Sequence, residues 1–525
     1  MFKGLKGFIK VNENVTFEGG KAYDLSFRET VAEMFSLGLV KGNFYQKDED
    51  VIKNTMDIMK KALTECPEWA TKAAIYGQEF NSLKLVPTIW LVYLSTLKDK
   101  TLFNKAFSRI ITNPKMLYDF LELTRKGGIR QGMGRSVKRA VNFWLNEKLN
   151  DYHATRYKSK LEDVIKVARP IAVERVQPYM DYIINDNEEA FERAKALKDV
   201  IINLNKGIVD ADTVEKVSKY NLQLEEIKHA FGNLTAAQKQ MIFEFMVSGL
   251  KYNALTSNLV TLERAFATET RVVKKVTEHG VFDQVEVIKS NVPKELVKVV
   301  ADKLSDYEAY RKSRMLPFGL MTANAMTKTK EWNDAINKVL LLSGKGVFNV
   351  PSNVGVRIGV DTSGSMGTIV TTSLSAVNIA SLFGAMVYMS IQNSNVYATA
   401  TFTKKVAVSK NVNLFENAKL IEKTDVGYGT VFEPLLDNYQ GEKYIVLISD
   451  GQQSDNLESK WAKLANKPKG AKLIIWHLVG YNNKISNRDD VVYLKGYSDR
   501  LLGVLKNIME DKAGQLESIK AIEIL

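Results

Sequence analysis

Residues 355–367 read GVRIGVDTSGSMG, and this stretch decides the fold of the C-terminal part of the chain. Its apolar run predicts a buried strand that ends at Asp361. Ser363 and Ser365 follow at alternate positions, so a carboxylate and two hydroxyls converge on one loop. Open α/β sheets bind ligands just past the carboxyl ends of their strands. An all-oxygen set of this kind suits a hard divalent cation and would suit zinc poorly.

Two later segments offer further oxygen ligands. GYGTVFEP carries Thr430 on a glycine-flanked loop, and KYIVLISDGQQSD predicts a second strand that ends at Asp450. The predicted metal ligands are Asp361, Ser363, Ser365, Thr430 and Asp450. The expected ion is Mg²⁺, with Mn²⁺ or Ca²⁺ as alternatives. Only two ligands are anionic, which leaves the metal able to accept an acidic ligand from a partner. The pattern resembles the metal-ion-dependent adhesion site of von Willebrand A domains.

Other interpretations of this loop explain less of it. A strand-end Asp before Ser and Gly is often a turn or helix-cap residue. VDTSGS also matches the aspartic-protease loop, but those enzymes are all-β and need a second copy, which this chain lacks. Haloacid-dehalogenase phosphatases require Asp-x-Asp, and Ser363 stands at the second Asp. Gly344-Lys345 lacks the earlier glycine of a P-loop. The five-residue metal site is therefore preferred.

Length and composition set broader bounds. A chain of 525 residues is long enough for more than one domain. Its single cysteine, Cys66, excludes an intramolecular disulfide and fits a reducing compartment. No signal peptide or apolar span is evident, so we expect a soluble, cytoplasmic protein without membrane contact.

The positive charge is unevenly placed along the chain. Of the formal net charge of +13, residues 346–525 contribute 19 basic and 17 acidic residues. Residues 1–345 hold 54 basic against 43 acidic residues, a net charge of +11. Basic excess favours polyanionic partners.

The hydrophobic pattern also changes near residue 346. Residues 1–345 show amphipathic helices with short connections, which predicts stacked helix pairs. From 346 to 525 strands alternate with helices, which predicts a mainly parallel, doubly wound α/β sheet with a short hairpin near Lys404. We place the boundary within LLSGKGVFNVPSN. The chain is thus expected to be multidomain, with domains 1–345 and 346–525.

The clearest helix is 135–149, whose apolar residues form one stripe. Between 125 and 160 there are ten Lys or Arg and two acidic residues. Tyr152, His153 and Tyr157 lie among these charges. Positive charge with interspersed rings suits single-stranded RNA, through phosphate neutralisation and base stacking. A solvated basic helix face is the competing interpretation.

The order of the domains, a von Willebrand A-like domain after a long basic helical region, resembles that of the TROVE proteins, the Ro autoantigen family. Local segments in the same order support the resemblance: LGLVKGNFYQ, GMGRSVKRAVNFWLNEK, LKYNALTSNLVTLER and RMLPFGLMTANAM. The resemblance implies a ring of HEAT-like helical repeats closed by a von Willebrand A domain. It also implies binding of single-stranded ends of misfolded RNAs, and of small structured Y RNAs on an outer basic surface. Bacterial members work beside exoribonucleases.

The residues that match the family's basic module are Arg130, Arg135, Lys138, Arg139, Arg156, Lys158 and Lys160, with His153 as a further contact. One departure weakens the expectation for Y-like RNA. RYKSK runs directly into LEDVIKVARP, so the family's Asn-Gly-Trp-Ser-His-Lys-Asp-like segment and its His are missing.

The leading hypothesis is a non-catalytic, monomeric RNA-binding protein acting in RNA quality control or RNA tethering. The alternative is a metal-dependent adaptor whose A-type domain grips an acidic residue of a protein ligand. We call residues 361–367, which carry three of the predicted metal ligands, the metal loop. An enzyme is the weakest hypothesis, because the metal loop has no evident general base and the four histidines are scattered.

Overall fold

The computed structural model describes residues 15–39, 41–130, 132–277, 280–344, 347–348, 350–370 and 374–524. Residues 345 and 346, where the predicted domain boundary falls, lie outside this set. The described residues contain 24 α-helices and 10 strands.

The helices up to residue 205 are α1 Phe27–Leu37, α2 Asp48–Glu65, α3 Pro67–Glu79, α4 Leu85–Leu94, α5 Thr101–Ile110, α6 Pro114–Lys126, α7 Arg135–Lys148, α8 Asp151–Arg156, α9 Lys158–Ala168, α10 Gln177–Asn185 and α11 Glu192–Asn205. The next are α12 Ala211–Lys219, α13 Leu224–Ile227, α14 Ala236–Val247, α15 Tyr252–Ala265, α16 Lys294–Leu304, α17 Tyr307–Ser313, α18 Pro317–Met326 and α19 Lys330–Gly344. The last are α20 Ala376–Ser390, α21 Leu414–Glu422, α22 Leu457–Lys463, α23 Leu501–Met509 and α24 Gln515–Lys520.

The strands are β1 Tyr23–Asp24, β2 Ala267–Thr277, β3 Gly280–Ser290, β4 Val356–Asp361, β5 Ser394–Thr399, β6 Thr403–Lys405, β7 Tyr444–Ser449, β8 Lys472–His477, β9 Asn483–Lys484 and β10 Val491–Lys495. Six of them form one sheet in the order β10-β8-β7-β4-β5-β6. All neighbours in this sheet are parallel except β5 and β6, which are antiparallel.

The sheet is built around its two most apolar strands. Every residue of β4 and β7 is buried, because both faces of a mainly parallel sheet are covered. Chain order reverses around β4, which lies between β7 and β5. Such a switch point leaves a crevice at the carboxyl ends of the strands.

By spatial contact, the chain forms two compact units. The first contains the described residues of 15–94, 316–318 and 340–524, and therefore the six-stranded sheet. The second contains those of 95–315 and 319–339, and is mostly helical. We expected a single division at 345/346, whereas α1 to α4 group with the C-terminal sheet. The division into domains 1–345 and 346–525, which rests on the sequence pattern, stays a prediction.

Within the first unit, an N-terminal segment joins the C-terminal part of the chain. β1 pairs antiparallel with β9, with Tyr23 opposite Lys484. The buried Glu33 of α1 forms an ion pair with Lys495 at the end of β10. These contacts explain why the helices of residues 27–94 belong to this unit.

The expectation of a mainly parallel α/β sheet beyond residue 346 is confirmed, including the hairpin near Lys404, which lies opposite Ala398. The expectation of an all-α N-terminal region was wrong at two places, the short strand β1 and a longer hairpin. β2 and β3 form an antiparallel hairpin in the second unit. Val- and Thr-rich alternation in residues 267–290 favours extended backbone over helix. In the part of the chain that the structure describes, no helix is long and apolar enough to cross a membrane.

Candidate functional site

Two buried carboxylates meet at the carboxyl edge of the six-stranded sheet. Asp361 ends β4, and Asp450 directly follows the neighbouring parallel strand β7. Both side chains are almost fully buried. Sequence pattern predicted both positions as strand ends, and the register of the sheet brings them to the same edge.

The loop after β4 is held in place by Asp361 itself. The backbone N–H of Ser363 donates to Oδ1 of Asp361 over 2.9 Å. The hydroxyl of Ser449 donates to Oδ2 over 2.6 Å. The hydroxyls of Ser363 and Ser365 lie 3.3 Å apart, and both residues are buried. One carboxylate and two hydroxyls therefore share a small polar space, as the alternate spacing predicted.

Asp450 has one oxygen without a partner. Its Oδ1 accepts the backbone N–H of Gln452 over 3.0 Å. Its Oδ2 is buried and makes no well-aligned hydrogen bond with a described residue, although the nearby Ser365 hydroxyl lowers the pKa of this carboxyl. Burial, followed by repulsion from Asp361, raises the pKa of Asp450 to about 7. Burial also raises the pKa of Asp361. A buried oxygen without a partner costs free energy, which a cation placed there would recover.

Thr430, the fourth predicted ligand, is held near the loop of Ser363 and Ser365 by backbone contacts of its segment. It is buried, and its carbonyl accepts two bonds of 2.7 Å from the backbone and hydroxyl of Ser454. Tyr428, two residues before Thr430, borders the metal loop, because its carbonyl accepts the N–H of Gly364 over 3.0 Å. The segment of Thr430 is thus brought to the same loop as Ser363 and Ser365.

The donor set fits a hard divalent cation. Two carboxylates and two hydroxyls are oxygen donors, and neither carboxylate makes an ion pair with another described residue. No group of three or more His, Cys, Asp or Glu side chains suited to a metal occurs among the described residues. A cation here would therefore rely on hydroxyl ligands, and its charge would neutralise both carboxylates.

A second candidate site lies on α7, in the second unit. Val137, Ala140, Val141, Trp144 and Leu145 are buried, which confirms the predicted apolar stripe. Arg135, Lys138 and Arg139 are exposed on the opposite side. None of these three forms an ion pair with another residue in the described ranges. They form a compact cationic surface, because residues three or four apart are neighbours on a helix.

The remaining predicted basic residues make intramolecular contacts. Arg130 donates to the carbonyl and hydroxyl of Ser95 over 3.0 and 2.8 Å. Lys158 pairs with Asp186. Three of them lie against rings: Arg156 on Tyr157 at 5.8 Å, Lys158 on Tyr182 at 4.3 Å and Lys160 on Tyr118 at 4.9 Å. These side chains are less available to a ligand than the three on α7.

His153 and Tyr152 are also occupied by the fold. The ring of His153 lies 2.9 Å, through Nδ1, from the carbonyl of Lys148, and it stacks on Trp144 with centroids 6.0 Å apart. Burial lowers the pKa of His153. The ammonium of Lys251 lies 3.8 Å from the centre of the Tyr152 ring. Neither ring is an open platform for a base.

An exposed ring that the sequence prediction missed stands beside the cations. Phe143 is 56% exposed and lies one turn after Arg139. The adjoining chain segment carries Ile171, which is 83% exposed, and is held by Asn142 and Asn146 through bonds of 2.8 and 2.9 Å. The signal was present in the sequence, since an aromatic residue outside the apolar stripe of a helix must face away from the core.

The comparisons with known proteins bear on the whole chain. No protein-family model matches it, and no curated protein matches it in sequence. Among solved structures it is similar to the crystal structure of the Deinococcus radiodurans Ro (RSR) protein, with a TM-score of 0.59 over 93% of this chain and 100% of that chain. The chain has the fold of a Ro protein. The identity is 15%, so the sequence resemblance to the Ro family is confirmed at the level of the fold.

In this Ro fold, other residues missed by the sequence prediction surround the metal loop. Burial raises the pKa of the Tyr45 and Tyr481 phenols, and the negative charge of Asp450 raises the pKa of both further. Tyr45 belongs to LGLVKGNFYQ, a segment noted only for its family resemblance. The 405 positions between Tyr45 and Asp450 hide their proximity in the sequence, because only the folded first unit brings the two residues near each other.

Proposed function

We propose that this chain is a non-catalytic RNA-binding protein that holds single-stranded ends of misfolded RNAs in RNA quality control or RNA tethering. The observation that carries the proposal is the α7 surface: three exposed cations without ion-pair partners in the described chain, beside the exposed ring of Phe143. The Ro fold supports the same conclusion.

The chemistry follows from the side chains. Arg135, Lys138 and Arg139 would neutralise successive phosphates, which fixes the strand without reading its sequence. Phe143 would offer its face to an unstacked base, and an aromatic face accepts every base. Small structured Y-like RNA is a weaker candidate ligand, since the family's His-containing loop is missing from the sequence.

The test is a charge reversal on α7 with a matched control. Arg135→Glu, Lys138→Glu and Arg139→Glu in one chain should weaken binding of a fluorescent oligouridine by about a hundredfold at low salt, measured by anisotropy. The control reverses Lys294, Lys298 and Lys312, three exposed lysines of the same unit, and changes the net charge equally. Equal losses in both variants would show a general charge effect and refute an α7 site.

We also propose that Asp361, Ser363, Ser365, Thr430 and Asp450 hold a divalent cation, Mg²⁺ first, with Mn²⁺ or Ca²⁺ as alternatives. The support is the unpaired Oδ2 of Asp450 beside a second buried carboxylate. A bound cation would supply an electrophilic centre for an acidic group. The von Willebrand A assignment of this region and the HEAT-like, ring-shaped arrangement of the helices stay predictions.

The second candidate function, a metal-dependent adaptor for an acidic protein ligand or an exoribonuclease, depends on that cation alone. It predicts that Asp361→Ala abolishes capture of the protein partner and leaves RNA binding unchanged. RNA binding and adaptor function use different units, so each can be measured in a variant that lacks the other.

A further inference from the structure

Helix α14 of the second unit carries apolar side chains on two of its faces. The buried face consists of Ile242, Phe243, Met246 and Val247. Met241 and Phe245 lie one turn apart on another face, and they are 43% and 47% exposed. Residues four apart on a helix are neighbours, so these two side chains form one exposed apolar strip. Packing among the described residues accounts for the first face and leaves the second open.

This strip forms one wall of a groove between α14 and α12. The groove has a volume of about 810 Å³. Its apolar lining comes from both helices and from the residue pair that precedes α12: Val209, Ala211, Val214, Met241 and Phe245. α14 has 12 residues, so at a rise of about 1.5 Å per residue the wall is about 18 Å long. An apolar groove of this length suits about three turns of a partner helix.

The rim of the groove is acidic. Asp210, Glu215 and Glu244 line it, together with one cation, Lys219. Glu215 and Glu244 are exposed, and neither forms an ion pair with another residue in the described ranges. Residues 1–345 carry a net charge of +11, so this rim opposes the charge of the region that contains it. Its carboxylates attract cationic groups and repel phosphates.

We propose that the groove between α12 and α14 binds an amphipathic helix of a partner protein. The apolar stripe of that helix would cover Met241 and Phe245, and its Lys or Arg side chains would face Glu215 and Glu244. The acidic rim disfavours RNA and anionic membranes, whereas a basic helix satisfies both the apolar wall and the rim. The groove uses no residue of the α7 surface or the metal loop, so this protein-binding site is independent of both.

The first test uses a fluorescent helical peptide of leucine and lysine, as long as α14, and a second peptide with glutamate in place of lysine. Anisotropy titrations with the full chain should show the lysine peptide binding at least about tenfold more tightly. Phe245→Ser should weaken its binding about tenfold, since one buried aromatic anchor often dominates such a contact. The control is Val299→Ser, an exposed apolar residue of α16 in the same unit, which should bind as the wild type does.

A charge variant tests the rim. Glu215→Gln with Glu244→Gln should weaken binding of the lysine peptide about fivefold at low salt, and the difference should shrink at high salt. The matched control is Glu295→Gln with Asp302→Asn, which removes two exposed carboxylates of α16. Equal losses in the two variants would show a general attraction between the peptide and acidic residues, and would refute the groove as the site.

A footprint then locates the bound peptide without any substitution. Met241 and Met326 are both 43% exposed and belong to the second unit. Peroxide oxidation followed by mass spectrometry should show Met241 protected by saturating lysine peptide and Met326 unaffected. Unprotected Met241, or a wild type that does not bind the peptide, would overturn the proposal. A dimer in sedimentation that Phe245→Ser abolishes would also overturn it, because the groove would then hold a second copy of this chain.

Discussion

The metal loop and the α7 surface both leave charges unpaired, but in opposite surroundings. Asp361 and Asp450 are buried carboxylates without an ion-pair partner among the described residues, and Oδ2 of Asp450 makes no well-aligned hydrogen bond with any of them. Arg135, Lys138 and Arg139 are exposed cations without an anion. Burial makes unpaired charge costly, whereas water solvates an exposed cation at little cost. The metal loop therefore favours a bound cation or a held proton, whereas the α7 surface is stable in water without a ligand.

This difference sets how strongly each region argues for its ligand. A buried pair of like charges has few explanations besides a cation or a held proton. An exposed basic face has many, so Phe143 and the Ro fold carry much of the argument there. Experiments that remove one kind of charge and leave the other should separate the two regions.

The largest effect is expected at the metal loop. Asp361→Ala should weaken Mn²⁺ binding by about a hundredfold or more, since even outer-shell partners of metals contribute ten- to hundredfold. Binding of oligouridine should stay unchanged in the same variant. Isothermal titration with each ligand checks both statements, and Asp489→Ala, an exposed carboxylate of the same unit, is the control. Loss of both activities in Asp361→Ala would mean that the two regions are coupled.

The next effect concerns salt. Each phosphate contact to a single strand contributes about 0.7 to the slope of log affinity against log salt. The α7 triple variant should therefore lose about 2 from that slope, which is about a twentyfold difference between 50 and 200 mM salt. Anisotropy titrations at four salt concentrations measure it. An unchanged slope would place the phosphate contacts elsewhere, whatever the affinity at one salt concentration.

A third effect, of about tenfold, is expected from pH. The pKa of Asp450 is raised from 3.8 to about 7 in the folded, metal-free chain, so folded chains hold a proton that unfolded chains have already lost. The metal-free fold should be most stable below pH 4, and its free energy of unfolding should fall as pH rises towards 7. Metal affinity should fall about tenfold from pH 8 to 6, because binding must release that proton. Chemical denaturation in the presence of a chelator measures how stability changes with pH, and Mn²⁺ titrations at each pH measure how metal affinity changes. Asp450→Asn should make the stability less dependent on pH.

The smallest effect separates the ring of the α7 surface from its charges. Phe143→Ala should weaken oligouridine binding about fivefold, the lower end of what one stacked base contributes, and leave the salt slope unchanged. The matched control is Phe245→Ala, an exposed phenylalanine of α14 in the same unit. A reduced salt slope in Phe143→Ala would contradict a stacking role and indicate that the surface had been distorted.

The sheet could be predicted from sequence because its signals are local. An apolar run of five or six residues that ends in Asp can be recognised in the sequence without knowledge of the rest of the fold. β4 and β7 end as expected. The basic helix 135–149 could be predicted for the same reason, since the helical period places its apolar residues on one face and its basic residues on the opposite face. Whether Asp361 and Asp450 bind a metal stays a prediction.

What could not be predicted depends on contacts between distant residues. Arg130 and Lys158 look like surface cations in sequence, and only the fold reveals Ser95 and Asp186 as their partners. The sequence of α10, QPYMDYIIN, has only a short apolar pattern, so periodicity alone does not predict a helix over 177–185. The ring contact of Phe17 with Tyr481 and its hydrogen bond to Gln452 join residues more than 430 positions apart, beyond the reach of any periodicity argument.

Those same long-range contacts have a consequence for how the chain is made. Phe17 meets Gln452 across 435 positions, so the segment that leaves the ribosome early has no docking site until the sheet has emerged. At about 5 to 20 residues per second this is a delay of about 20 to 90 seconds. During that time residues 95–315 can fold from contacts among themselves, since they form most of one compact unit. Residues 15–20 are thus synthesised long before the sheet and reach their final positions only after it.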